Sequence, residues 1–350
     1  FHQLMEIANR YDGAFLCDGV GLGKTYVGLM VIEYLVERLR KRVALFVPKA
    51  ARKSVWERDI RRYLPHLFGD FSNFVIYNHT DLLRGGEYRL HVRRIMEMAD
   101  AIVIDEAHHF RNPGLKGDDG ERRSHYWQMN DVVEGKKLFM LTATPVNNRL
   151  IDLQHMIELF SRRESDYFKD APLGIHSLPG HFRKMENELE RLVEAGSGSP
   201  SGGTVETNQV EAEQILSNDS LFRALVVQRS RAYVKESQAQ SSGAKAIFPV
   251  REAPEVTPYK LRDAYGALFD LIESAFSKDK PLFSLAMYYP LHYYKGPDKT
   301  IDPMKEGRQR QVVSLIRIQF LKRFESSARA FETSCQNLLI NLLAFVHKYS

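Results

Sequence analysis

Cysteine is nearly absent. Cys17 and Cys335 are the only two, far apart in sequence and without a second pair, so neither a disulfide framework nor a zinc-binding pattern is offered. That points to a reducing, cytoplasmic setting. Long hydrophobic runs are missing as well: the longest, LLINLLAFV over residues 338–346, falls well short of the ~20 residues a membrane span needs. No basic-then-apolar leader opens the chain, and no membrane partner is expected. Neither sign of charge dominates, since 49 Lys and Arg stand against 44 Asp and Glu for a net charge of +5. This tilt favours polyanionic partners but does not by itself separate nucleic-acid binding from a mixed, solvated surface. No internal repeat is visible. The first residue is Phe1 rather than Met, and FHQLMEIANRY is already amphipathic; we expect the chain to be part of a longer protein.

What is present is apolar material for one large or two ordinary globular domains: 350 residues, 44% of them hydrophobic, enough to bury a core. From residue 12 to 160, short apolar runs alternate with helical stretches, as in a mostly parallel sheet with helices on both faces. GAFLCD (13–18), RVALFVP (42–48), NFVIYN (73–78), AIVID (101–105) and KLFMLTA (137–143) are each bounded by turn-forming or polar residues and read as buried strands. KTYVGLMVIEYLVERLRK, ARKSVWERDIRRYL and GEYRLHVRRIMEMAD space apolar residues by three and four and read as crossover helices. This gives an α/β lobe over 1–160, a helical and flexible insertion over 161–219 containing HFRKMENELERLVEA and the loop GSGSPSGG, a return to the first lobe over 220–261, and a helical extension over 262–350. The stretch QVVSLIRIQFLKRFESSARAFETSCQNLLINLLAFVHKY reads as one long helix, too apolar to stand alone in water.

Three motifs carry chemistry. In DGVGLGKT, small residues let backbone amides converge on phosphate oxygens, Lys24 meets the charge, and the hydroxyl of Thr25 suits magnesium. The loop follows a strand and opens an amphipathic helix whose N-terminus adds positive potential. The nucleotide contacts are read as Gly21, Leu22, Gly23, Lys24, Thr25 and Tyr26. The general pattern GxxxxGK[ST] asks for glycine where Asp18 stands. In AIVIDEAHHF, four apolar residues deliver Asp105 and Glu106 to the carboxyl edge of the sheet, Asp105 toward magnesium and Glu106 toward an attacking water. Two acids after a strand commonly just cap a helix, but the loop upstream makes the catalytic reading the better one. In LFMLTATPVNN, Thr142 and Thr144 end a third strand, where they can hydrogen-bond His108 and transmit the nucleotide state.

In this order, DGVGLGKT, DEAH and LTATPVNN resemble superfamily-two helicases, specifically the Swi/Snf-like double-stranded DNA translocases in their bacterial branch. That family commonly has DEMGLGKT, with an aspartate where Asp18 stands and glutamate where this chain has Gly19. VPKAARKSVWERD, with Pro48, Trp56 and Glu57, looks like the family's second block, and VVQRSRAYV like the basic segment that leaves its first lobe. The FPVR and LKRFESSARAF stretches also look like that branch. Gln3 looks like the adenine-reading glutamine. The resemblance covers 1–160, extends less closely over 220–350 and does not reach 161–219. It implies a RecA-like P-loop NTPase lobe using ATP and Mg2+, with double-stranded DNA as partner.

Two consequences follow from the resemblance. The family completes its ATP site with a second RecA-like lobe bearing an arginine finger, absent from the sequence after residue 261, so hydrolysis by this chain alone is expected to be weak, a finger being worth ~10³ or more. Backbone-tracking DNA contacts belong on loops after the second and third strands, at Lys49, Arg52 and Lys53 and at Asn78, His79 and Thr80, with Arg111 and Asn112 after the acid motif; a solvated helix face is the competing account of the lysines. An RNA or single-strand helicase and a non-hydrolysing nucleotide-gated scaffold remain the alternatives, with a small-molecule kinase further off.

Overall fold

The computed structural model describes residues 1–19, 21–68, 73–84, 87–117, 123–143, 145, 149–196, 215–229, 260–276, 285–293 and 302–349. Among them six strands form one parallel sheet: β1 (Gly13–Leu16), β2 (Val43–Val47), β3 (Phe74–Asn78), β4 (Ala101–Asp105), β5 (Lys137–Leu141) and β6 (Val226–Val227), in the order β3-β2-β4-β5-β1-β6. β1 and β2 are buried along their whole length, as are the first four residues of β4, so side chains on both faces of the sheet are covered, which is why these strands read as unbroken apolar runs rather than alternating ones. The five strands read from the sequence are all present: β4 has the expected ends, and the other four are one or two residues shorter. β6 was not separately legible: two residues following the helix Ser220–Leu225, it pairs Phe15 with Val226 and Leu16 with Val227.

Register decides what happens at the carboxyl edge. Asp105 lies opposite Leu141, and Leu16 opposite Leu141 on the other side, so β4, β5 and β1 end level as immediate neighbours. The ladder runs on by one step through Thr142 N–H to the Leu16 carbonyl at 3.0 Å and Cys17 N–H to the Val227 carbonyl at 2.8 Å. Residues beyond the three motif strands join the same core: Phe168, Ile175, Leu178, Phe182, Met185, Ile215 and Leu216 all bury into it. The helix Leu178–Gly196 includes the expected stretch 181–195. Most of the expected loop 196–203 and of the extended segment 246–261 lies outside the described residues.

The chain divides into two compact units, Phe1–Pro249 and Val250–Ser350. In the second, the long terminal helix expected from the sequence is two helices, Pro303–Ser326 and Ala328–Tyr349. Ser327 between them is extended, with φ −166°, and its hydroxyl accepts the Ala330 N–H at 3.3 Å. This is the N-cap chemistry that serine favours over continuing a helix. Phe331 thereby meets Phe320 and Phe324, with ring centroids 6.1 and 5.3 Å away, and the pair of helices shares a small core with Leu285, Tyr289, Val313 and Leu338. The helical stretch RDAYGALFDLIESAF (262–276) likewise breaks at Gly266, with φ +46°, into Leu261–Tyr265 and Ala267–Ala275. Among the described residues no helix is long and apolar enough to cross a membrane.

One close approach fixes the helix that follows β1. In Lys24–Glu33 the glycine at position 28 lies against Trp56 and Leu141; a Cβ there would stand 2.8 Å from Trp56 Cη2 and 2.9 Å from Leu141 Cδ1. Trp56 has no exposed surface and sits in a π-helical stretch, Arg52–Glu57, whose wide turn is spanned by Arg52 Nε donating to Glu57 Oε1 at 2.9 Å. Both contacts involve the ring or its strand neighbour, neither of which can retreat within a close-packed core. The variant Gly28→Ala is therefore expected to lose about 1–3 kcal/mol, read as a fall in the thermal midpoint.

Candidate nucleotide site

The loop after β1 is held from below by an ion pair between the buried Asp18 and the partly exposed Arg229. Asp18 has no exposed surface; its Oδ1 accepts the Arg229 backbone N–H at 2.8 Å, and its Oδ2 accepts Arg229 Nε at 2.9 Å together with Arg229 Nη2. The same Nη2 lies 3.4 Å from the Leu22 carbonyl, so one guanidinium grips both the start and the middle of the loop. Position 18 is thus the anchor of the loop and not a member of the phosphate cradle. That is why a carboxylate can stand where the general pattern wants glycine.

The cradle itself has the required shape. Gly21 and Gly23 both have φ +83°, a left-handed conformation that glycine adopts without strain, and no atom lies within 4 Å of where a Cβ at Gly21 would be. Lys24 Nζ donates to the Asp18 carbonyl at 2.9 Å, which keeps the ammonium over the loop. Thr25 is half-buried in the first turn of the helix and Tyr26 is exposed beside it, its ring 5.6 Å from that of Tyr63. Gln3 is exposed at the start of the helix His2–Tyr11.

The acid motif is oriented by its neighbours. Asp105 Oδ2 accepts the indole Nε1–H of Trp56 at 2.7 Å and Oδ1 accepts the Glu106 N–H at 3.0 Å. Burial raises the Asp105 pKa above the usual carboxylate range and the charge of Glu106 adds to this, while the Trp56 and Glu106 hydrogen bonds and the charge of Lys24 pull the other way. Glu106 turns out of the strand at φ +49°, a conformation uncommon for a residue with a Cβ and met at functional sites. Its Oε2 lies 3.1 Å from His108 Nδ1, and Thr142 Oγ1, fully buried at the end of β5, lies 3.4 Å from the same nitrogen. With a proton on Nδ1, His108 can donate to the Glu106 carboxylate, which only accepts. Burial and the nearby Arg111 lower the His108 pKa, favouring this neutral donor form. Lys24, Asp105, Glu106, His108 and Thr142 accordingly gather at one edge, while Thr144 lies outside the described residues.

The expected polynucleotide contacts divide. Lys49 and Lys53 are exposed after β2. Arg52 is engaged with Glu57. Asn78 and His79 are corrected: both are buried, because β3 alternates and places Asn78 on its inward side. Asn78 N–H and Nδ2 donate to Asp81 Oδ2 at 2.8 and 2.9 Å, closing the turn. His79 packs edge-on against His109 and Phe110. Thr80 is the exposed residue of this turn. Arg111 lies 3.8 Å from Asp152 and its carbonyl accepts from His155 Nδ1 at 2.8 Å, while Asn112 Oδ1 accepts the Gly114 N–H at 3.1 Å, so both serve the loop after the acid motif. Sequence reasoning passed over two groups of the site. Trp56 stood out only as part of a block, and Arg229 only as one base in VVQRSRAYV.

Comparison with known proteins agrees with this geometry. Residues 4–147 match the family described as type III restriction enzyme, res subunit. The ATP-dependent helicase YqhH of Bacillus subtilis (strain 168) is 29% identical over 202 residues, 54% of this chain and 33% of that protein. Nucleoside triphosphatase I of Heliothis armigera entomopoxvirus is 26% identical over 208 residues, 55% of this chain and 30% of the viral protein. The match thus spans about a third of the length of these curated relatives. Among solved structures, the Sulfolobus solfataricus SWI2/SNF2 ATPase core in complex with dsDNA is 18% identical at a TM-score of 0.41, covering 65% of this chain and 43% of that one; a likeness this loose adds nothing to the fold described above.

Two outcomes test the site's construction. Arg229→Ala strands a fully buried carboxylate and is expected to cost about 3 kcal/mol; adding Asp18→Asn to it should restore part of the lost thermal midpoint, whereas simple loss of packing would leave the double variant no better. The second is pH dependence. Burial, with the positive charge of a protonated His109 adding to it, lowers the His79 pKa from 6.5 to about 4, so the unfolded chain takes up this proton first. The stability owed to neutral His79 is complete above pH 6.5 and drains away as the pH falls toward 4, about 3 kcal/mol in full. His108, His109 and His125 are lowered too, chiefly by burial, and act in the same direction. The thermal midpoint of His79→Gln should fall less steeply between these pH values than that of the parent.

Proposed function

We propose that this chain, whose residues 4–147 match the type III restriction enzyme res-subunit family, is the ATP-binding motor lobe of a Swi/Snf-like double-stranded DNA translocase. The observation that carries the reading is the convergence on one sheet edge of a glycine cradle with Lys24, the pair Asp105 and Glu106, and a histidine that touches both Glu106 and Thr142. Cradle and acid pair are what phosphoryl transfer requires, and His108 is what a motor adds to them.

ATP with magnesium fits the residues present. The open space over Gly21 and the positive φ at Gly21 and Gly23 leave backbone amides free to approach phosphate oxygens. A phosphate oxygen is a charged acceptor and would replace the Asp18 carbonyl as the partner of Lys24. Thr25 and Asp105 would hold the magnesium, which when bound neutralises charge on the phosphates. Glu106 is the base or orienting group for water; His108 holds it and is held in turn near Thr142. When the phosphates are present or gone, a shift at Glu106 therefore reaches β5 through one imidazole. Gln3, at the start of the first helix, is our candidate for reading the adenine, and Leu22 and Tyr26 complete the nucleotide contacts.

Duplex DNA as the track is supported by Lys49 and Lys53, exposed after β2, and by Thr80, exposed after β3; adjacent strands thus offer basic and hydroxyl groups suited to phosphates. A second lobe would supply the arginine finger, and without it turnover is expected to be ~10³ lower. Glu106→Gln in the intact parent protein should keep nucleotide binding and lose at least ~10² in turnover, which a non-hydrolysing scaffold would not register. ATP hydrolysis should rise with duplex DNA more than with single strands or RNA; a preference for RNA would instead favour an RNA helicase. Replacing Lys49 and Lys53 together by alanine should raise the DNA concentration for half-maximal stimulation and flatten its salt dependence by about one to two contacts.

A further inference from the structure

We propose that Trp56 is a positioning residue for the magnesium-binding carboxylate and the mechanical link through which the helical segment after β2 acts on it. The inference rests on Asp105 being that carboxylate. Trp56 is the side chain that fixes its Oδ2, through an indole N–H at 2.7 Å, while the Glu106 N–H fixes Oδ1 at 3.0 Å. With one donor on each oxygen, the plane of the carboxylate is set, and its remaining lone pairs are left for a cation. A phenyl ring would keep part of the apolar packing but has no N–H to donate to Oδ2.

The position of Trp56 in the chain gives the link. It belongs to the continuous helical run that begins at Lys49 and passes through the π-helical stretch Arg52–Glu57, and wide turns of this kind occur frequently at functional sites. Lys53, three residues before the tryptophan, is exposed, and Trp56 is fully buried. The ring is wedged against Gly28 of the helix that opens at Lys24. A displacement of the segment by a ligand on Lys49 or Lys53 is therefore carried by a rigid indole to two places at once, the metal carboxylate and the helix behind the phosphate cradle. Ser54 and Arg52 stiffen the run, Ser54 Oγ donating to the Ala50 carbonyl at 2.7 Å and Arg52 Nε to Glu57 Oε1 at 2.9 Å. Neighbouring groups that orient a metal ligand typically change metal affinity by about 10–100-fold when removed.

The test uses Trp56→Phe in the full chain, with a fluorescent ADP analogue titrated in excess Mg2+ and in chelator. The parent should bind more tightly with Mg2+; the variant should lose about tenfold or more of that gain while binding in chelator stays within about twofold. Asp105→Asn is the reference. If it loses the Mg2+ gain and Trp56→Phe keeps it, the positioning role is overturned and the nucleotide reading stands; if Asp105→Asn also keeps the gain, the assignment of Asp105 has failed. Equal weakening of Trp56→Phe with and without Mg2+ would mark a packing role only and also overturn the proposal. Should Trp56→Phe not fold, Trp127→Phe leaves Trp56 as the single tryptophan of the chain. Its emission should then change when Mg2+ is added to the nucleotide-bound protein, and again on adding duplex DNA. A signal indifferent to Mg2+ would overturn the positioning role, and one indifferent to DNA the link.

Discussion

A carboxylate with no exposed surface sits at the mouth of the sheet, and the loop above it depends on how its charge is met. Asp18 is paired by a single residue, Arg229, through backbone and side chain together. Taking the Asp18 carboxylate out of water costs several kcal/mol, recovered only when its hydrogen bonding is nearly complete. Three donors on two oxygens come close to that. The pair lies across β1 and β6, and it is the pairing of Leu16 with Val227 that brings Arg229 to the right height. A two-residue strand is thereby made necessary, since without β6 the start of the loop would hold an uncompensated charge.

The same requirement explains the shape of the cradle. Lys24 reaches back to the Asp18 carbonyl, and Arg229 also reaches the Leu22 carbonyl, so the loop is tied at three points before any phosphate arrives. Its glycines can then keep positive φ without a ligand to hold them there. Ordering a loop costs ~1–2 kcal/mol per residue in backbone entropy. Where that cost is met in folding, it is not charged against the ligand.

Much of this was legible in the sequence because it is local. β1, β2, β4 and β5 are each short, mainly apolar runs, as strands of a parallel sheet buried on both faces are. The cradle and the acid pair are likewise contiguous stretches with spacing of their own. What the sequence hides is pairing at a distance. Asp18 and Arg229 are 211 residues apart, and Trp56 and Asp105 are 49 apart; no periodicity links such positions. Asn78 and His79 were misread for a different reason. Polar side chains at the end of a strand suggest a ligand-facing edge, but β3 alternates, and its last residue turned inward to close the turn with Asp81. Ser327 shows the limit of helical patterning, since the apolar spacing continues on both sides of a residue that caps instead of propagating.

These long-range pairs differ in what they ask of the chain, and the difference bears on how the lobe works. Arg229 ties the phosphate loop to the edge strand from which the chain goes on toward its second unit. Trp56 ties the acid motif to the helical run carrying Lys49 and Lys53. The loop and the acid motif therefore each answer to a separate part of the chain, one to the exit from the lobe and one to the surface after β2. A small movement of either part need not disturb the sheet, because β1, β5 and β4 are locked in register with one another. It must instead appear at the edge, where Lys24 and Asp105 are close enough for the lysine's charge to act on the carboxylate. Packed interiors deform in steps and not smoothly, so an edge with two independent tethers can exist in arrangements that differ in how the glycine loop and the Asp105 carboxylate face each other. On the proposed reading, nucleotide would be best bound in the arrangement where both tethers are set, and any ligand that favours one setting would then, by linkage, bind more tightly when nucleotide is present.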